Sequence, residues 1–451
     1  NNFAAAVGIT SGRNVAITDE DAIILGASTV SGTYGITAGG NITDDGTQEI
    51  AGVTTLAAGS SNDITLDTST NNFAAAVGIT SGRNVAITDE AAIILGASNV
   101  SGTYAVTATT GDITNSGNLT ITGAARFITT AAARNIILDQ SNVFTSTVTM
   151  QAGDGSAAFG NITFVDSAAV RLHTSAASAG DLYIDASTDG AVGGNLSVTA
   201  NGDITQTVVL AVTGTTTLAA GSSNDITLGN ASNNFQDAVI ITSGANVAVT
   251  DTNAIKLGAA TVSGTYGITA GGAITDSGTQ EIAGVTTLAA GSSNDITLDT
   301  STNNFAAAVA ITSGRNVAIT DEDAIVLGAA TVSGTYGITA GGAITDSGTQ
   351  EIAGVTTLAA GSSNDITLDT STNNFAAAVA ITSGRNVAIT DEDAIVLGAS
   401  TVSGTYAVTA TTGDITDSGN LTITGAATFI TGASGSNIIL DSSGNAFSNA
   451  V

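Results

Sequence analysis

The 451-residue sequence has no cysteine, no proline and no tryptophan, one methionine, one histidine and one lysine, Lys256. Without cysteine it forms no disulfide and no thiolate metal site. A chain without proline suits a continuous β-ladder, in which nearly every backbone N–H has to donate. No stretch approaches the roughly 18 uninterrupted apolar residues of a membrane span, so no membrane insertion is expected. Apolar residues never recur at helical spacing over ten or more positions with a cap, which argues against α-helical and leucine-rich repeats. Positive charge is scarce as well, and the formal net charge is −30. Such a polyanion repels nucleic acid and anionic lipid, and neither is expected as a partner. The acidity reads as solubility for a Gly/Ala/Val-rich surface, with weak divalent-cation binding as the alternative.

What the chain does contain is repetition. The run Asn-Asn-Phe-Ala-Ala-Ala-Val opens the sequence and returns at Asn71, and close copies begin at Asn233, Asn303 and Asn373, defining a 70-residue block. Within it Phe3, Val30, Ile50 and Phe73 each stand six residues before an aliphatic residue, at spacings of 27, 20 and 23. This divides the block into three coils of 20–27 residues, and gives about 19–20 coils in all. Val, Ile, Thr and Gly dominate, and apolar residues alternate in short runs such as 15–18 and 64–67, which is strand patterning. Repeats of this length are units that bury their apolar faces only against their neighbours. The predicted fold is all-β, a right-handed parallel β-helix of roughly triangular section, handed by the rule for parallel crossovers. At the spacing of neighbouring strands it would be about 90 Å long. Residues 1–451 read as one continuous solenoid segment, with regular coils over 1–142 and 192–451 and divergent coils over 143–191. Both ends fall within a repeat, so a fragment of a much longer chain is expected.

Two columns of large residues mark the interior. Phe3, Phe73, Phe235, Phe305 and Phe375 occupy a coil start, and Tyr34, Tyr104, Tyr266, Tyr336 and Tyr406 stand two residues before an anchor, hence on the same strand face. Equivalent aromatics are expected three coils apart, about 14 Å, too far to stack. Thr54, Thr286 and Thr356 fall in the tyrosine column one coil on and are the expected partners of the buried hydroxyls. A third column lies at the bend before the second strand, with Asn14, Asn41, Asp63, Asn84, Asp112, Asp225 and Asn246 among its members. Asn and Asp tolerate left-handed backbone and bond their own turns, so a side-chain ladder at one corner is expected. A row of calcium ligands would need several oxygens converging on each ion. The glycine-rich calcium nonapeptide is absent, and no metal or cofactor is predicted.

The runs from Val30 to Ala38, from Thr54 to Leu66 and from Gly194 to Thr205 resemble the repeats of large filamentous-haemagglutinin-type bacterial adhesins. The resemblance covers essentially the whole chain. It implies export across a Gram-negative envelope and display on the outer surface as a β-helical fibre.

Repetition also bears on catalysis. The acidic triplet Asp19-Glu20-Asp21 recurs at 321–323 and 391–393 and thins to Asp89-Glu90-Ala91. A catalytic constellation is unique, so these acids read as a solvated loop paired with Arg13, Arg83, Arg315 and Arg385 of the same coils. Non-repeated candidates for a polysaccharide-cleaving site are Arg171, His173, Asp181, Tyr183 and Asp185, and no catalytic residue is predicted among them. Outward threonines such as Thr43 and Thr65 are interrupted by Ala16 and Ala86, which weakens an ice- or sugar-binding face. The expectation is a non-enzymatic, extracellular adhesive or structural shaft. Its partners would be flanking repeats, other copies in a filament, and an unidentified cell-surface or carbohydrate receptor. A self-standing filament or sheath and a polysaccharide-binding or polysaccharide-cleaving β-helix are the alternatives.

Overall fold

The computed structural model describes residues 1–153, 160–173, 181–184 and 191–451. Among these residues there are strands and no helix. The chain winds as a β-solenoid of about 20 turns with coils of about 21 residues, in two compact units, Asn1–Asp237 and Ala238–Val451.

Two long parallel ladders organise the first unit. Sheet I passes from Val15–Asp19 through Tyr34–Ala38, Thr54–Ala57, Val77–Gly82 and Ile93–Val100. Sheet II passes from Ile23–Val30 through Ile42–Asp44, Ile64–Leu66, Val85–Asp89 and Tyr104–Ala108. Successive side chains on a strand point to opposite faces. Tyr34, Ile36 and Ala38 are therefore buried, while Thr37 between them is exposed. Because the pairing is parallel and in register, inward columns stack like on like, as Ile17 on Ile36 and Ile36 on Leu56.

A shorter third strand completes most coils. Residues 28–30, Gln48–Ile50 and Asn72–Phe73 stack as three rungs in the bend from sheet II to sheet I. Residues 98–100, Leu119–Ile121 and Val143–Phe144 form the corresponding rungs in the opposite bend, from sheet I to sheet II. The third ladder thus changes side after every three rungs in these coils.

The second unit repeats the plan and gives the turn count. Val247 is joined to Val387, which holds the same position two blocks later, by seven register steps through Tyr266, Thr286, Val309, the strand Ile325–Val332, Ile344 and Ile366. Seven turns in two blocks are three and a half turns per block, not the expected three. The apparent long coil from Phe73 to Val100 does not exist, because Val100 registers with Gly82. Phe73 closes a third ladder on one side, and Val100 opens the next on the other.

The aromatic markers lie inside. Phe73, Phe235, Phe305, Phe375 and the tyrosines 34, 104, 266, 336 and 406 are all buried. Phe3 is the exception at 38% exposure, because its coil is covered on one side only. At the bends before Asp63, Asp295 and Asp365 the chain turns through Gly59, Gly291 and Gly361, with φ of 81°, 78° and 77°, a conformation in which a side chain is strained. In the divergent coils Val148–Ala152 pairs with Asp181–Ile184, which pairs with Val170–His173, which pairs with Ile204–Gln206. A later strand is there stacked ahead of an earlier one.

Candidate functional site

Three repeated polar assemblies hold the coils, and a shallow groove lies beside the third ladder. The first assembly is the expected Asn/Asp ladder. Asn41 Oδ1 accepts the N–H of Asp63 at 2.9 Å, and Asp63 Oδ1 that of Asn84 at 3.1 Å. Asn84 Oδ1 then accepts the N–H of Thr103 at 3.1 Å. Asn14 serves Thr33, Asp112 serves Asn135, Asp203 serves Asp225, and Asn246 serves Thr265 in the same way. Two points differ from expectation. The ladder occupies two corners: Asn14 and Asp112 precede strands of sheet I, while Asn41, Asp63, Asn84 and Asp225 precede strands of sheet II. None of these residues has positive φ; among the described non-glycine residues only Ala133 does. Their role is to accept an N–H from the next coil, not to supply a left-handed turn.

Arginine joins this corner. Arg83 donates from Nε and Nη2 to both carboxylate oxygens of Asp63 at 2.8 Å. Arg315 and Arg385 do the same to Asp295 and Asp365. The hydrogen-bonded guanidinium holds each of these carboxyls down at about 2. For these three arginines the partner is therefore the ladder aspartate of the preceding coil, not the acidic triplet.

The triplet supplies the second assembly, and its first member is not solvated. Asp89, Asp321 and Asp391 are buried. Asp89 accepts the N–H of Phe73 and that of Ala91, both at 2.8 Å. Asp321 accepts from Phe305 at 3.0 Å and Asp323 at 2.9 Å, and Asp391 from Phe375 at 3.0 Å and Asp393 at 2.8 Å. The physical reason lies in the alternation of sides. The phenylalanine strand is the last rung of its third ladder, so its N–H faces a coil that has no third strand there. The aspartate caps that open edge. Burial pushes the Asp89 carboxyl up to about 6 and raises Asp166, Asp321 and Asp391. Asp19, in the first coil, is buried as well, and the N–H groups of Asp21 and Phe3 hold its carboxyl below the usual range.

The third assembly was missed by sequence reasoning. Asn71 is fully buried, accepts the N–H of Gln48 at 2.8 Å and donates to Asp44 at 2.7 Å. Asn303 and Asn373 repeat this with Gln280 and Asp276, and with Gln350 and Asp346. The signal was the invariable first Asn of each Asn-Asn-Phe. This network also corrects the tyrosine partner. Thr54 does register with Tyr34, but the Tyr34 hydroxyl donates to Gln48 Oε1 at 3.3 Å. The hydroxyls of Thr54, Thr286 and Thr356 and of Tyr104, Tyr336 and Tyr406 have no hydrogen-bond partner.

Aromatic rings of neighbouring coils do touch in two places, edge-on except for the stacked pair Phe144 and Phe164. Tyr104, Phe127, Phe144 and Phe164 follow one another at centroid separations of 5.9, 6.1 and 5.3 Å. Tyr406, Phe429 and Phe447 form a second such series at 5.9 and 6.2 Å. Phe127 and Phe429 take the place of the leucine of the Thr-Thr-Leu strand.

Of the non-repeated polar candidates, Arg171 registers with Asp181 and His173 with Tyr183 on adjacent strands. Asp185 lies outside the described residues. Among the described residues no three His, Cys, Asp or Glu side chains gather as a metal site, and no helix is long and apolar enough to cross a membrane. Concave features among the described residues include open grooves of about 320 Å³ at Thr29, Ser31, Glu49, Ala51, Asn72 and Ala74, and about 280 Å³ at the equivalent residues of a later block.

A family model described as repeats of unknown function (DUF5649) matches residues 12–80, 82–151, 187–242, 244–312, 314–382 and 384–451. No curated protein and no solved structure matches the chain.

Proposed function

This chain belongs to the DUF5649 family of repeats, and from the way one block is multiplied along it we propose a mechanical, non-enzymatic function: an extracellular shaft segment of a large bacterial surface adhesin. The observation that carries this reading is the unbroken register of the second unit, where every step from Val247 to Val387 is a parallel ladder over a buried column. Each coil is hydrogen-bonded to its neighbours through two sheets, a corner ladder and, at the edges, a buried carboxylate. Deforming the stack breaks many such bonds together, which is what a stiff spacer requires. The polar assemblies recur with the block, and each is consumed in joining coils, leaving little for chemistry. The likeness of the repeats to filamentous-haemagglutinin-type adhesins supports secretion and surface display.

Antibodies raised against the block should label the outer surface of intact cells that make the protein. Pulling on the full chain should release it in steps of one or a few whole coils, after high resistance. Labelling only after cells are broken open would remove the surface role, and smooth low-force extension would remove the spacer role.

A further inference from the structure

We propose that the outward Thr-Glu-Asn face of the third ladder, grooved at Glu49 and at Glu351, is a subsite for a neutral polysaccharide, and that the half-turn in the block presents such faces on alternate sides, so that one chain bridges two polymers. This goes beyond the shaft reading, which rests on the ladders and survives the loss of every groove.

The outward column of the third ladder is Thr29, Glu49, Asn72 in the first unit, with register Thr29 to Glu49 to Asn72. In the second unit it is Thr261, Glu281, Asn304 and then Thr331, Glu351, Asn374. Asn72 Nδ2 donates to Glu49 at 3.3 Å, and Asn304 to Glu281 at the same distance. A carboxylate and an amide on adjacent rungs offer acceptors and donors about 4.8 Å apart, the complement of hydroxyls along a sugar ring. Beside this column the bend carries Ser31, Ala51 and Ala74, all exposed. These small side chains form a low carbon floor, over which the C–H face of a sugar can lie, and the serine adds a hydroxyl. A few fixed polar groups beside apolar surface are the ordinary composition of a ligand site.

Charge selects the class. Neither groove is lined by a lysine, arginine or histidine, and the chain carries a formal −30. Uronate, phosphate and nucleic-acid ligands are repelled. A neutral polymer is favoured over a single sugar because the grooves are shallow and recur. Weak subsites gain from being linked.

The alternation follows from topology. In the second unit the rungs of Glu281 lie in the bend that follows the strand Ile274–Asp276, whereas those of Glu351 follow Ile344–Asp346 of the other sheet. These bends are opposite edges of the coil. One polymer strand cannot run through both.

The test is affinity electrophoresis of the full chain in native gels containing hydroxyethylcellulose, laminarin, galactomannan or alginate. The expected result is retardation in at least one neutral gel and none in alginate. The triple variant E49A/E281A/E351A should lose at least tenfold in apparent affinity with an unchanged melting temperature. In solutions of the retarding polymer, E49A should still raise turbidity, because its second unit keeps both sides. E49A/E351A should bind but not raise it. Migration unaffected by all neutral polymers, equal retardation of wild type and triple variant, or retardation by alginate alone would each overturn the binding proposal. Undiminished turbidity with E49A/E351A would overturn the bridging. Loss of binding in a protein still displayed on cells leaves the shaft reading standing.

Discussion

Val15 and Val85 hold the same place in successive blocks, yet they stand in opposite sheets: Val15 registers with Tyr34 in sheet I, and Val85 with Ile64 and Tyr104 in sheet II. A block of three and a half turns makes this unavoidable. Every asymmetric feature of the block, whether third strand, corner ladder or buried aspartate, then appears on both sides of the coil in turn.

The turn count can be tested with introduced cysteines, since the chain has none. Residues 49 and 72 are register neighbours, so cysteines there should form a disulfide rapidly on mild oxidation, within the Cα separation such bonds need. Cysteines at 72 and 99 should not, although a single coil running from Phe73 to Val100 would make them neighbours. Efficient cross-linking of the second pair would restore three coils per block.

The buried aspartate should be worth most at the edge it caps. Asp321→Ala leaves the N–H groups of Phe305 and Asp323 without their acceptor and should cost about 1–3 kcal/mol. The Phe305 amide should then exchange much faster with solvent. Asp321→Asn keeps an acceptor oxygen and should recover much of the loss. Unchanged exchange at Phe305 in the alanine variant would mean that the carboxylate does not close the ladder.

Much of this was legible in the letters, and the misses have one origin. Period-two alternation identified the strands, and it placed Tyr34 and Tyr336 inside, because a side chain two residues from an anchor shares its face. The Asn41-to-Asp63 ladder was visible for a similar local reason. The turn count was not visible, because some coils pass from one sheet to the other without a third strand, and Asp89-Glu90-Ala91 looks like any polar bend. The capping role of Asp89 depends on the N–H of Phe73, well upstream of it in the chain, which no local pattern reveals. For the same reason Gln48 was missed as the partner of Tyr34, while Thr54, in the adjacent rung, was the obvious but incorrect choice.

Acid should first stabilise this protein and then destabilise it. The folded-state carboxyl of Asp89 lies at about 6, above its unfolded value of 3.8, with Asp166, Asp321 and Asp391 shifted the same way. The folded protein therefore binds protons more readily than the unfolded chain, and stability rises as pH falls from about 7 toward 4, by up to about 3 kcal/mol for Asp89. Asp63, Asp295 and Asp365 lie at about 2. Their contribution is present above 3.8 and is lost as pH falls through 2. The melting temperature should accordingly peak near pH 4, and Asp89→Asn should flatten its rise between pH 7 and 4. A melting temperature that falls steadily from pH 7 would contradict the burial of these carboxylates.

The inward assignment itself is tested by a pair of substitutions in one coil. Ile311 is buried and registers with Leu288 and Ala330, so Ile311→Asp places an uncompensated charge between two coils and should cost about 3–5 kcal/mol. Glu322 is exposed, and its backbone N–H, bonded to Asn303 O at 2.6 Å, ties it to the neighbouring coil. Glu322→Lys keeps that bond and lowers the magnitude of the net charge, so its effect should stay within about 0.5 kcal/mol. The readout is thermal unfolding together with amide exchange in the Thr286–Ala289 and Ile325–Val332 strands that flank Ile311. Exchange should accelerate there in Ile311→Asp, because each coil is stabilised by the coils on either side. If the two variants melt alike, the column through Ile311 does not face the interior.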